Sequence, residues 1–177
     1  MQSGQVLAGK KGLIRKLALR VPADLIVEIN GLKSAIALQA GKRYKLLRGP
    51  CHAVVYKGQR VMDLYLQDTF VKRYRVCVGA PKTPTPTGRF RVVLGGKTVK
   101  TAYYPPAGSG IPGPVLYPGE EGYPLDEAGH NIKLEGIGDT DITEADGYAI
   151  HGTDEPESIG RADSLGCIRL GAADIRE

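Results

Sequence analysis

The stretch AVVYKGQRVMDLYLQDTFVKRYRVCV, residues 53–78, decides the fold of most of the chain. Its apolar residues recur at about every second position in three runs, which is typical of strands with one buried face. Residues 57–59 and 67–68 are polar or glycine and predict short hairpin connections between the runs. We therefore expect three consecutive strands, over 53–56, 60–66 and 70–78.

A proline-rich stretch, GAPKTPTPTGRFRVV at residues 79–93, follows the third strand. Its three prolines exclude a helix or a central strand, so it predicts an extended turn that leads into a strand at 90–93. Residues 102–129 are rich in glycine, proline and tyrosine, and a segment this long is a lid, a binding loop or a disordered segment. Strand patterns resume at 132–134 and 148–150, so the predicted fold class is mostly β.

The first fifty residues follow a different pattern. Apolar residues fall at helical spacing, Pro22 suits the first turn of a second helix, and Asn30 and Gly31 suit its end. A short strand is predicted at 44–47. So small a unit buries little surface by itself. We expect a small α/β module over residues 1–50 and a β domain over 51–177. The helical spacing is carried by Leu13, Leu17, Leu25 and Ile29.

Composition excludes several classes of protein. The net charge is +5 and the pI about 9.1, but no stripe of Lys and Arg alternates with aromatic residues, so we expect no nucleic-acid partner. No apolar run is long enough to span a bilayer, and no secretory leader is recognisable at the start of the chain.

The cysteines and histidines are few and scattered. Three of each are present, and none has the spacing of a metal site, so we expect neither a metal nor a cofactor. Cys51 and Cys77 fall in strand patterns and are predicted to be small buried apolar side chains.

The stretch HGTDEPESIGRADSLGCIRL, residues 151–170, carries the candidate chemistry. His151 lies where an apolar strand gives way to a loop, and Gly166 before Cys167 leaves room for a substrate and directs an N–H toward an oxyanion. Arg169 is suited to orient a carbonyl or carboxylate. An imidazole beside the thiol is expected to lower its pKa below the usual value of about 8.5. The alternative is that His151 caps a strand while Cys167 packs in the core, and spacing alone does not separate the two.

Three ordered motifs carry a family resemblance. The sequence IHG at 150–152 followed by SLGCIR at 164–169, with VCVGAPKTPTPTGRFRV at 76–92 and YPLDEAGHNIKLEG at 123–136, resembles the YkuD-type L,D-transpeptidase catalytic domain. The resemblance implies a mostly β fold with Cys167 as nucleophile and His151 as base. It also implies an oxyanion site at the N–H groups of Gly166 and Cys167. Gly152 would orient the base through its carbonyl, and Ser164 is assigned to the same orienting set.

Two departures from the family pattern stand out. Leu165 occupies a position where many members have histidine, so His151 is expected to be the only imidazole at the site, with His52 and His130 elsewhere. The chain ends ten residues after Cys167, where members usually continue into another strand. The domain is therefore expected to lack its last strand or to close in another way.

Residues 1–50 resemble a LysM carbohydrate-binding module. The resemblance rests on the order of a helix, a Val-Pro start of a second helix, the pattern IxxxNGL at 26–32 and the pattern LxxGxxxxLL at 38–47. It implies binding of glycans that contain N-acetylglucosamine. The alternative is a small helical cap on the second domain.

Together these resemblances imply a peptidoglycan L,D-transpeptidase of the cell envelope, involved in cell-wall biogenesis and cell shape and sensitive to carbapenems. Its partners would be stem peptides and glycan strands, and it would form 3→3 cross-links through an acyl-enzyme, with L,D-carboxypeptidase activity on the side. One alternative is a non-catalytic wall-binding protein with an inactive domain. A second is a cysteine peptidase of unrelated fold, for which no orienting Asn or Asp is recognised.

Overall fold

The computed structural model describes residues 50–105 and 113–177, together with residues 4–5, 26–27, 30–34, 37, 39 and 42–45. The chain divides into two compact units. The first contains Met1–His52 and Leu66–Thr69, and the second contains Ala53–Tyr65 and Phe70–Glu177. Among the described residues, no helix has both the length and the apolar character needed to cross a membrane. The division predicted between residues 50 and 51 stays a prediction.

The N-terminal unit contains a short antiparallel pair. Strand β1 (Gly4–Gln5) lies beside β2 (Arg43–Tyr44). Asn30 links the helical turn at Ile26 to the residue after β2, because its Nδ2 donates to the carbonyls of Ile26 (2.8 Å) and Lys45 (2.9 Å) and its Oδ1 accepts the Lys45 N–H (2.7 Å). Gly31 has a φ of +61°, as the predicted helix end requires. The predicted strand begins at Arg43, and the residues predicted to carry the helical spacing (Leu13, Leu17, Leu25 and Ile29) and Pro22 lie outside the described residues.

The three consecutive strands predicted over residues 53–78 are present. They form one sheet in the order β3 (Cys51–Tyr56), β4 (Val61–Leu66), β5 (Thr69–Arg75). The third strand ends at Arg75 rather than at residue 78. The reason is a change of partner: Cys77 forms an antiparallel bridge with Arg169, and Val78 begins a separate short strand.

A second sheet has the order β11-β9-β8-β7. Adjacent strands are antiparallel between β7 and β8 and between β8 and β9, but parallel between β9 and β11. The strands predicted at 90–93, 132–134 and 148–150 all belong to it. The strands of this sheet are β7 (Arg89–Thr98), β8 (Asn131–Ile137), β9 (Ala149–Gly152) and β11 (Ile168–Leu170). Two further strands, β6 (Val78–Gly79) and β10 (Ala162–Ser164), form a separate parallel pair.

The core of the larger unit anchors the strand that follows Cys167. Ile168 and Leu170 are buried in an apolar cluster, while Arg169 between them is only partly buried. Burying a side chain of this size stabilises a fold by about 1.5–3 kcal/mol. The cluster therefore fixes the position of β11 and of the residue before it. Its other buried members are Met62, Tyr74, Val76, Val78 and Ile175.

The described parts of the glycine- and proline-rich stretch are ordered by their own apolar contacts. Tyr103 and Leu116 exchange both backbone hydrogen bonds at 2.8 Å. Leu116, Tyr123 and Leu125 form a small buried cluster against which Tyr103 packs. Residues 106–112 lie outside the described residues.

The last residues are tied to the sheet that contains β5. Ile175 is buried in a short 3-10 turn, and Lys72 and Tyr74 both bond the Glu177 carboxylate. The further strand expected from the family pattern stays a prediction.

The two cysteines assigned to packing differ from each other. Cys77 is fully buried, as predicted. The prediction for Cys51 is wrong: this residue is exposed at the start of β3, a strand whose residues are mostly exposed.

Candidate active site

Parallel pairing of β9 with β11 brings the two halves of the candidate motif together. Arg169 pairs with His151 and Ile168 with Ile150, so Cys167 enters β11 beside the strand that carries the histidine. The Sγ atom of Cys167 donates to the Gly147 carbonyl at 3.6 Å, just before β9. The long polar loop between His151 and Cys167 thus doubles back, as a paired arrangement of the two side chains requires.

The thiol of Cys167 lies in a partly buried position. Burial raises its pKa above the ordinary value, while the Ala149 N–H and the Arg169 guanidinium act in the opposite direction. This result is opposite to the lowered pKa expected from the sequence, because desolvation disfavours the thiolate more than these two groups favour it. In the site as it stands, Cys167 is a thiol.

The imidazole of His151 is held by a single backbone acceptor. Its Nδ1 lies 2.6 Å from the carbonyl oxygen of Gly152, the contact predicted for Gly152. A carbonyl only accepts, so Nδ1 carries the hydrogen and Nε2 is left with the lone pair. Only 6% of the residue is exposed, and the ring therefore has a fixed tautomer and orientation.

Burial lowers the pKa of His151 to about 4; the Gly152 carbonyl and Asp126 raise it, and Arg169 lowers it further. From about pH 5 upward the ring is therefore neutral. A neutral imidazole whose Nε2 carries a lone pair can act as a general base.

Ser164 and Gly166 build the turn in front of Cys167. The Ser164 hydroxyl donates to the Cys167 carbonyl at 2.6 Å and accepts the Gly166 N–H at 3.1 Å. Gly166 has a φ of +120°, and a Cβ there would lie 2.8 Å from the Tyr148 ring. The Gly166 N–H assigned to an oxyanion is thus engaged with Ser164, and it has to exchange this partner before it binds a ligand.

The proline-rich stretch contacts the turn that precedes Cys167. The Ser164 carbonyl accepts two hydrogen bonds of 2.9 Å, from the Thr83 hydroxyl and from the Ala80 N–H. Gly79 packs so closely that a Cβ would lie 2.2 Å from the Thr83 carbonyl oxygen. The sequence predicts this stretch only as a connection, whereas its contacts also position the turn before Cys167.

Arg169 presents an unused donor. Its Nη1 bonds the Glu155 carboxylate at 2.5 Å, while its Nε is buried without a hydrogen-bond partner among the described residues. A buried, unpaired guanidinium N–H is costly unless a ligand supplies an acceptor. This donor fits the orienting role predicted for Arg169.

Leu165 is 42% exposed beside Cys167 and supplies no imidazole. His130 contacts the segment that carries His151 through its backbone, because its carbonyl accepts the Gly152 N–H at 3.1 Å. Its ring faces the Asp126 carboxylate, with Nδ1 at 2.6 Å. The expectation that His151 is the only imidazole at the site therefore stays a prediction.

Tyr103 joins the site from the glycine- and proline-rich stretch. Burial raises the pKa of its hydroxyl, a Cys167 thiolate raises it further and Arg169 lowers it. The Tyr103 hydroxyl is thus within electrostatic reach of both residues. The sequence marks this stretch as a candidate lid but does not single out Tyr103.

Comparisons with known proteins agree with this geometry. Residues 51–177 match the L,D-transpeptidase catalytic domain family, YkuD. The YkuD proteins of Bacillus subtilis and Bacillus licheniformis, named as L,D-transpeptidases, are 28% and 30% identical to the chain over 128 residues, which is 72% of this chain and 58% of each relative. The chain thus spans less than two thirds of their length.

One solved structure has the same fold. It is L,D-transpeptidase 3 from Mycobacterium tuberculosis in complex with a faropenem-derived adduct, with a TM-score of 0.51 and 18% identity over 70% of this chain and 52% of that one. At this identity the likeness is one of fold. It agrees with the mostly β architecture predicted from the sequence.

Proposed function

The chain belongs to the YkuD family of L,D-transpeptidase catalytic domains, and we propose that it is a peptidoglycan L,D-transpeptidase of the cell envelope. The observation that carries the proposal is the parallel pairing of β9 and β11, which sets His151 beside the strand that follows Cys167. A histidine with a fixed tautomer and an adjacent thiol are the two parts that acyl transfer through a thioester requires.

The first step is attack by Cys167 on a stem peptide. The thiol attacks the carbonyl carbon of the bond between meso-diaminopimelate and D-Ala in a tetrapeptide, and its proton passes to Nε2 of His151. The C=O π electrons become the oxyanion, which the N–H groups of Cys167 and Gly166 stabilise once Gly166 leaves Ser164.

The second step releases D-Ala and leaves an acyl-enzyme. As the oxyanion collapses, the C–N bond breaks, and the imidazolium of His151 gives its proton to the leaving amine. A side-chain amine of another stem then attacks the thioester, with His151 taking its proton, and the thiol is restored as the 3→3 cross-link forms. Water in place of the amine gives L,D-carboxypeptidase activity.

Two further residues bind and enclose the donor stem in this proposal. Arg169 offers its free Nε–H to a carbonyl or carboxylate of the peptide. Tyr103 is proposed to lie against the donor stem near the thiol, because the pKa of its hydroxyl responds to Cys167 and Arg169.

Residues 1–50 are proposed as a LysM-like module that holds glycan strands. The test compares the full chain carrying Cys167→Ala with residues 51–177 carrying the same change, in sedimentation with insoluble peptidoglycan. Stronger binding by the full chain is expected. Equal binding would remove the functional meaning of the module and leave the catalytic proposal untouched.

The catalytic proposal is tested by acylation. A carbapenem incubated with the full chain is expected to add one covalent adduct at Cys167, detected by intact-mass and peptide mass spectrometry. Replacing Cys51 and Cys77 by serine is expected to leave the adduct intact, whereas Cys167→Ser is expected to abolish it. A folded chain that forms no adduct and leaves the muropeptides of treated sacculi unchanged would favour the non-catalytic wall-binding alternative.

A further inference from the structure

We propose that Asp126, fixed by His130, is a positioning residue that orients His151 and stabilises its protonated form during acyl transfer. This inference rests on the proposed function. It concerns residues outside the Cys167 and His151 motifs, in the segment that leads into β8.

The Asp126 carboxylate is buried and fully engaged. Only 1% of the residue is exposed. Its Oδ1 accepts the His130 N–H at 2.8 Å, its Oδ2 lies 2.6 Å from His130 Nδ1, and the Asp126 carbonyl accepts the Gly129 N–H at 2.7 Å. One turn thus fixes both oxygens of the carboxylate, which leaves the group little rotational freedom.

This carboxylate packs directly on the residue that holds the base. A Cβ on Gly152 would lie 2.5 Å from Cγ and Oδ1 of Asp126, and the Gly152 N–H donates to the His130 carbonyl at 3.1 Å. The carbonyl of Gly152 accepts the His151 Nδ1–H at 2.6 Å. A shift of the carboxylate is therefore transmitted to the imidazole through one peptide group.

Three neighbouring groups face His151, and two of them are charged. Arg169 on β11 opposes an imidazolium, Asp126 favours one, and β8 places the uncharged Asn131 opposite His151. Cys167 becomes negative only as it loses its proton. Since the reaction makes an imidazolium in a buried site, a fixed carboxylate next to Gly152 lowers the energy of that state without taking the proton itself.

The experiment measures carbapenem acylation of the full chain from pH 4 to pH 8, and NMR of the His151 ring follows its titration down to about pH 2.5, because the midpoint lies at about 4. Asp126→Asn keeps the shape and removes the charge. We expect a loss of about tenfold in the acylation rate at pH 7, since each pKa unit of lost stabilisation of the imidazolium corresponds to about tenfold, and a downward shift of the His151 midpoint. Asp63→Asn, a change at another buried carboxylate that pairs with Arg73, is the control and should keep the wild-type rate and midpoint.

A second pair of variants covers the case in which Asp126→Asn does not fold. His130→Ala leaves the carboxylate with one bond and should slow acylation several-fold, and His130→Asn, which retains a donor near the position of Nδ1, should recover part of the loss. A wild-type rate in His130→Ala overturns the inference. So does a folded Asp126→Asn chain with an unchanged midpoint, whatever its rate. Failure of the wild-type chain to be acylated would instead reject the proposed function.

Discussion

His151 on β9 and His130, which precedes the neighbouring strand β8, show how differently the fold treats the same side chain. His151 on β9 places its Nδ1 2.6 Å from a neutral carbonyl, that of Gly152. His130, just before β8, places its Nδ1 2.6 Å from the carboxylate of Asp126. Both distances are those of strong hydrogen bonds, but only one partner carries a charge.

The difference shows how a buried histidine stays neutral and able to accept a proton. A carboxylate bonded directly to His151 would favour the imidazolium and raise the pKa of the ring. The carbonyl fixes the tautomer without that effect, so burial keeps the ring neutral and lowers its pKa to about 4. The charge of Asp126 lies one residue away, where it acts on the imidazolium that forms later.

The largest expected effect on the acylation rate comes from replacing His151. His151→Asn keeps a hydrogen-bond donor for the Gly152 carbonyl but has no basic nitrogen. Because general-base catalysis contributes about 10²–10⁴-fold, acylation of Cys167 should fall by that factor. The rate is measured by intact-mass spectrometry at pH 7, and circular dichroism checks the fold. Acylation within threefold of wild type in a folded variant would show that His151 is not the base.

The second effect is on stability and follows from the lowered pKa of His151. The unfolded chain binds a proton at about pH 6.5 and the folded chain at about 4, so the unfolded state holds more protons between these values. The contribution of His151 to the free energy of unfolding is therefore complete above about pH 6.5. This contribution falls by about 3 kcal/mol as the pH falls toward 4.

Urea unfolding of the wild type and of His151→Asn between pH 7 and pH 4 isolates that contribution. Both chains lose stability in acid through their carboxylates, such as Asp63, whose pKa is lowered chiefly by its hydrogen bond to Arg73. Only the wild type should lose the additional amount. Parallel curves for the two chains would mean that His151 is protonated as readily in the fold as outside it.

The sequence is a good guide to the strands of the two sheets, and β9 and β11 bring the two motif segments together. Alternation over residues 53–78 identifies β3, β4 and β5, and Met62 and Tyr74 on two of these strands are buried in the core. The motif around Cys167 identifies the nucleophile candidate because its glycine, with φ +120°, tolerates a backbone that other residues avoid.

Other features depend on contacts between distant segments. The raised pKa of Cys167 reflects desolvation by the assembled site, which no local pattern encodes. The Asp126–Gly152 contact joins a residue of the segment before β8 to the last residue of β9, and the Gly166 N–H is engaged by the Ser164 hydroxyl. Cys51 is exposed although it lies in a strand, since period-two patterns do not specify which face of an outer strand is covered.

A smaller effect is expected at the contact between the two histidine regions. Gly152→Ala places a methyl group 2.5 Å from the Asp126 carboxylate, so backbone or carboxylate has to move. Overpacking of this kind costs about 1–3 kcal/mol. We expect a lower midpoint of urea unfolding and slower acylation. Gly58→Ala, where no atom lies within 4 Å of the added Cβ, is the matched control. Equal stability of the two variants would contradict the close approach of Asp126 to Gly152.

The smallest effect is expected where the chain departs from its family. Leu165 is 42% exposed beside Cys167, so Leu165→His adds an imidazole close to the thiol but without a buried partner. Stability should change by less than about 0.5 kcal/mol, as for other surface positions. An exposed imidazole titrates at about pH 6.5 and has no fixed orientation. The single variant should therefore be acylated within threefold of the wild-type rate, and adding Leu165→His to His151→Asn should not restore acylation. Recovery of the wild-type rate in that double variant would show that an imidazole needs only to lie near the thiol to act as the base. The hydrogen bond of His151 to a carbonyl, in contrast to that of His130 to a carboxylate, would then be unimportant for the reaction.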